Sequence, residues 1–170
     1  MSLPHGVRVV VCGNIHRADD GAAIRAVGLL LARGSYRRGH DIDVDRCGEL
    51  SIEHLLDVPC GQPLVIVDAA VGVRPGRVVT AGLDQLIDHP NAAAPHSSHA
   101  LPINQVLGVV NVLSDRPLNG LFVGIGGADF GYGQRLSPAV KRGLSRYIDA
   151  IEHAIELLQP APPVQAGAEA

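Results

Sequence analysis

PLVIVDAA (residues 63–70) is an unbroken apolar, β-branched run closed by an aspartate and two alanines. A run without polar alternation predicts a strand buried on both faces, here ending at Asp68. Two similar runs lie on either side of it: VRVVVCG (7–13) near the start of the chain and LFVGIGG (121–127) near its end. DIDVDRC (41–47) alternates like a further strand. PGRVVTA (75–81) follows Asp68 too closely to leave room for a helical crossover, so it predicts an antiparallel strand at an edge.

Between these runs the period changes. Ile24, Val27, Gly28, Leu30 and Leu31 recur at helical spacing after Asp19 and Asp20. Ser51 offers an N-cap to a short helix through IEHLLD (52–57), and Pro102 suits the first position of a helix through INQVLGVVNVL (103–113). Ser137 and Pro138 open a long final helix, on which Val140, Leu144, Tyr147, Ile148, Ile151, Ile155 and Leu158 form one apolar stripe. Strands alternating with helices predict an α/β fold: a three-layer α/β/α sandwich of about five strands, mostly parallel, with one antiparallel edge strand. We expect one domain over residues 1–158 and a disordered tail over 159–170, where QPAPPVQAGAEA has too little apolar surface to offset its ordering entropy.

Composition narrows the function. The chain of 170 residues is 46% hydrophobic but only 3% aromatic, with no Trp, so its core is built from Val, Leu, Ile and Ala. A net charge of -3 provides no basic face for nucleic acid or anionic lipid as a main partner. No apolar run approaches the roughly 18 residues that span a bilayer. Three cysteines, Cys12, Cys47 and Cys60, with no CxxC spacing and no signal-like N-terminus, predict a reduced, cytoplasmic protein.

In an open parallel sheet, ligands collect at the carboxyl ends of the strands where the strand order reverses. If the first and third strands are neighbours, the loop carrying Asp19 and Asp20 and the strand end carrying Asp68 open onto one crevice. One aspartate suffices to cap a helix, so the pair leaves a carboxylate in excess. Asp68 at a buried strand end needs a cation, donors or a proton, and backbone amides are the ordinary source. His96 and His99 sit in the loop HPNAAAPHSSH (89–99), where solvation is the default. Two carboxylates and one imidazole would instead make a site for a divalent first-row metal such as nickel or zinc. CGNIHRADDG (12–21) lacks the GxGxxG of a dinucleotide site and puts acidic residues where a pyrophosphate would sit. Cys12 as a nucleophile competes with the commoner role of free Cys as a small buried hydrophobe.

GNIHRADDGAAIRAV, CGEL, LVIVDAA, SSHALP and GIGG followed by LSPAV occur in an order and spacing that resembles the hydrogenase maturation proteases, from about Val7 to Leu158. The resemblance implies an α/β/α endopeptidase that recognises nickel already inserted in the large-subunit precursor of a nickel–iron hydrogenase and removes its C-terminal extension. It implies no permanently bound cofactor: the nickel is supplied by the client. Carried over position by position, it puts catalytic carboxylates at Asp20 and Asp68 and metal contacts at Asp20, Asp68 and His99. Many members have Glu where this chain has Asp20, one methylene longer. Asp19 is left for helix capping or loop bracing. The expected partner is that precursor, met by a monomer without nucleic acid or membrane. Two other readings use the same crevice: a non-catalytic checkpoint that binds nickel-loaded client, and a small-molecule metallohydrolase.

Overall fold

The computed structural model describes residues 6–33, 41–88, 96–97, 102–114 and 116–159. At the centre lies β3 (Leu64–Val71), buried along all but its last residue. It is flanked by two parallel neighbours, β1 (Val7–Val11) and β6 (Gly120–Gly126). β2 (Ile42–Arg46) adds parallel to β1, and β4 (Val78–Gly82) adds antiparallel to β6, giving the order β2-β1-β3-β6-β4. A two-residue strand, β5 (His96–Ser97), pairs antiparallel with Val71 and Ala70 of β3. The edge strand is antiparallel as the short connection requires. It pairs with β6 rather than with β3, because β6 already occupies that side of β3.

The unbroken apolar runs make sense once both faces are covered. Val9 and Val11 of β1, Val65 and Val67 of β3, and Val123 and Ile125 of β6 pack against α1 (Ala22–Ala32) and α5 (Pro138–Leu158). The alternate residues, Val10, Leu64, Ile66 and Phe122, pack against α2 (Ile52–Leu56), α3 (Leu83–Asp88) and α4 (Ile103–Leu113). Side chains two apart on a strand share a face, so each strand supplies both layers. Ser137 caps α5 by accepting from the Val140 N–H at 3.4 Å, with Pro138 at the first position. No helix among the described residues is long and apolar enough to cross a membrane.

Two departures from the sequence reading bear on the site. β3 continues past Asp68 to Val71, because β6 pairs with it as far as Ala70 and β5 with Ala70 and Val71. Asp68 is therefore an in-strand residue opposite Gly124. Asp19 and Asp20 lie in a single 3-10 turn, Ala18–Gly21, ahead of α1, and no side chain caps either element. Residues 160–170 of the expected tail, and His99, lie outside the described residues.

Candidate functional site

The strand order reverses between β1 and β3, the place where open parallel sheets generally collect ligands. Register fixes what meets in it. Val11 is the last residue of β1 paired with β3, opposite Val67, and the Cys12 N–H then donates to the Val67 carbonyl at 2.9 Å. Cys12 is thus carried alongside Asp68 as the two chains part. Gly13 follows at φ +119°, and a Cβ there would collide with the Asp20 carbonyl oxygen. Only glycine lets the chain turn this tightly over the 3-10 turn.

The loop after Gly13 closes around Asp20. The Asn14 N–H donates to Asp20 Oδ2 at 2.8 Å, and Asn14 Oδ1 accepts from the His16 N–H at 2.9 Å. Asp20 is only 2% exposed. Asp68, equally buried, accepts from the Ala69 N–H at 2.7 Å through Oδ1. Its main-chain carbonyl accepts from the Tyr147 hydroxyl at 2.8 Å, so α5 fixes the strand directly beneath the carboxylate.

Both carboxylates bear on the same thiol. Cys12 and Cys47 lie with their sulfurs 3.5 Å apart, the Cys47 N–H donating to the Val11 carbonyl at the end of β1. The hydrogen bond with Cys47 pushes the Cys12 thiol well up from its ordinary value, helped by burial and by the charges of Asp68, Cys47 and Asp20. A raised thiol stays protonated at neutral pH, which weighs against Cys12 as a nucleophile and for its role as a small buried hydrophobe. Burial and the Asp68 charge also push the Tyr147 phenol up, so it stays a donor.

Asp19 has a different task. Its Oδ2 accepts from the Ala128 and Asp129 N–H groups at 2.8 and 3.0 Å, and its Oδ1 from the Ser137 N–H at 2.7 Å. It braces the first loop against the connection from β6 to α5. Asp20 and Asp68 thus both lie near enough to Cys12 for their charges to act on its thiol, while Asp19 is engaged as a brace. His99 lies outside the described residues; of its chain neighbours, His96 and Ser97 pair with Val71 and Ala70, next to Asp68 along β3. Among the described residues, no group of three or more His, Cys, Asp and Glu side chains is arranged to hold a metal ion. Sequence reasoning missed Cys47 and Tyr147 as site neighbours. The signal for Tyr147 was its hydroxyl, the one polar tip on the apolar stripe of α5.

A family model described as hydrogenase maturation protease matches residues 42–154. The chain belongs to the hydrogenase maturation protease family. The matched segment contains Asp68 and His99 and begins after Asp19 and Asp20. Solved structures of hydrogenase maturation proteases share the fold. HybD from Thermococcus kodakarensis is 23% identical, with TM-score 0.69 over 88% of this chain and 99% of that one. HybD from E. coli is 19% identical, with TM-score 0.68 over 89% and 93%. A hydrogenase 2 maturation peptidase from a Thaumarchaeota archaeon is 21% identical, with TM-score 0.59 over 89% and 99%. No curated protein matches the chain. Membership of the hydrogenase maturation proteases makes a peptidase activity the frame for the crevice.

Proposed function

We propose that this chain is the endopeptidase that removes the C-terminal extension from the nickel-loaded precursor of a nickel–iron hydrogenase large subunit. The observation that carries the reading is the pair of buried carboxylates, Asp20 and Asp68, flanking Cys12 where the strand order reverses. Carboxylate oxygens with one imidazole suit a divalent first-row metal. His99, two residues beyond Ser97 in the chain, supplies that imidazole. The nickel arrives as part of the substrate, and Asp20, Asp68 and His99 complete its contacts. Bound there, it brings the scissile carbonyl and a water against the carboxylates, one of which takes the water's proton. A client without nickel offers neither the docking ligand nor the polarised carbonyl, so selectivity and chemistry share one feature.

Asp68→Asn keeps shape and removes charge; His99→Ala removes the imidazole. Each is expected to slow C-terminal removal from nickel-loaded client by about 10²–10⁴-fold, the range for loss of a general acid–base group, with circular dichroism unchanged. Wild-type rates in both variants would place the site elsewhere. Calorimetry separates the metallohydrolase: the isolated protein is expected to bind nickel weakly, and tight stoichiometric binding would favour a resident metal.

A further inference from the structure

We propose that a pocket between the β3–β4 turn and the first turns of α5 is an anion exosite that holds acidic side chains of the protein substrate. The identity of that substrate rests on the protease reading; the pocket itself does not. Its volume is about 300 Å³, and Arg74, Arg77, Arg142 and Arg146 line it together with Gly76 and Ala139. These are four of the 14 lysines and arginines in a chain of net charge -3. No carboxylate lines the pocket. The ion pairs among the described residues, Arg8 with Asp43 and Arg33 with Asp149, lie elsewhere. Arg142 and Arg146 stand four apart on a helix, where like charges repel. Four guanidiniums gathered without a counter-charge await an anion from outside.

The scaffold beneath them is rigid. The Gly76 N–H donates to the Gly126 carbonyl at 2.8 Å, the Arg77 N–H to the Arg74 carbonyl at 2.9 Å, and the Gly126 N–H to the Arg77 carbonyl at 2.8 Å. Gly76 takes φ +77°, and a Cβ on it would collide with the Ala139 carbonyl oxygen. A Cβ on Gly143 would lie 2.5 Å from the Gly76 carbonyl oxygen. Turn and helix therefore meet backbone to backbone, and the arginines project from two elements that cannot shift independently.

Two features select the ligand. A phosphate site in a glycine turn offers main-chain amides, whereas the amides of Gly76, Arg77 and Gly126 are all committed to carbonyls of the turn and β6. What remains is a ring of exposed guanidiniums, each able to take a carboxylate in a fork. The pocket also lies at the catalytic end of the sheet. Gly126, to which the turn is bonded, is two residues along β6 from Gly124, the partner of Asp68, a rise of about 7 Å. The Asp68 carboxylate shares the face of Ile66 and Cys12, away from α5, so a substrate segment seated on the arginines would reach it around the end of the sheet.

The test uses the full-length protein and a fluorescein-labelled hexaglutamate peptide, followed by anisotropy at low salt, with hexaglutamine as control. Wild type is expected to bind hexaglutamate and not hexaglutamine. Arg142→Gln with Arg146→Gln, and separately Arg74→Gln with Arg77→Gln, are expected to weaken binding at least tenfold; all four side chains are exposed, and circular dichroism reports the fold. Asp68→Asn is expected to bind as wild type. With nickel-loaded client, the Arg142/Arg146 double variant should raise KM and leave kcat unchanged. Failure of wild type to bind hexaglutamate, or wild-type affinity in both double variants, overturns the proposal. Pyrophosphate displacing the peptide at lower concentrations than the peptide itself binds overturns it in favour of a phosphate site. Peptide binding as expected with no cleavage of any client would leave the exosite standing and remove the protease reading.

Discussion

Asp19 accepts three main-chain N–H groups through its two oxygens, two of them from Ala128 and Asp129 and one from Ser137. Asparagine supplies only one acceptor oxygen, and its NH₂ would face a buried amide. Asp19→Asn is therefore expected to destabilise the fold by about 1–3 kcal/mol, the cost of an unsatisfied buried group, measured by chemical denaturation. An unchanged midpoint would show that the brace is dispensable. The thiols make a second contrast. Cys60 is exposed, while Cys12 and Cys47 are buried and the Cys12 thiol is raised by its Cys47 hydrogen bond and by burial. Iodoacetamide on the native protein at neutral pH should modify Cys60 alone, seen as a single mass addition mapped to its peptide. Labelling of Cys12 would restore it as a candidate nucleophile. The adjacency of Asp19 and Asp20 was legible in sequence; their division of labour was not. The groups that claim Asp19 lie 109–118 residues away, beyond any local pattern. Cys47 escaped for the same reason, since only the β1–β2 register brings it to Cys12.

At the scale of elements, α5 carries the sharpest test. Glycine in a helix interior usually costs about 1 kcal/mol against alanine, so propensity alone favours Gly143→Ala. Gly143, however, is buried against the turn, where a new Cβ would meet the Gly76 carbonyl 2.5 Å away. Overpacking of that kind costs about 1–3 kcal/mol and should outweigh the gain, lowering the melting temperature. A higher melting temperature would mean that turn and helix separate easily. Hydrophobic runs and capping residues made most elements readable, including the antiparallel edge strand and the Ser137–Pro138 start of α5. The end of β3 was misplaced because a carboxylate in an apolar run looks like a terminus, whereas pairing with β6 and β5 carries the strand to Val71. α3 left no readable trace: six residues are under two turns, too short for a period to register, and its entry is marked by Gln85 accepting from the Gly82 N–H at 3.2 Å.

Across the whole molecule, the layered sandwich follows from central strands apolar on both faces, and the crevice follows from the order β2-β1-β3. Composition and pattern therefore point to the end of the sheet between β1 and β3 as the place to look for a site. What chemistry occurs there depended on the resemblance carried by Asp20, Asp68 and His99, because two aspartates and a histidine in a loop have ordinary structural roles when taken singly. The arginine pocket belongs to the same scale: Arg74 and Arg77 lie far in sequence from Arg142 and Arg146, and the contacts of Gly76 with Ala139 and Gly143 unite them. The central claim is that the client's nickel is both what the crevice recognises and what enables the cut. The measurement that tests it most directly is intact mass of a candidate large-subunit precursor after incubation with this protein, the precursor being loaded with nickel or left empty. The account predicts a shortened C-terminus in the loaded precursor and no mass change in the empty one. Equal shortening of both, or of neither, would contradict it.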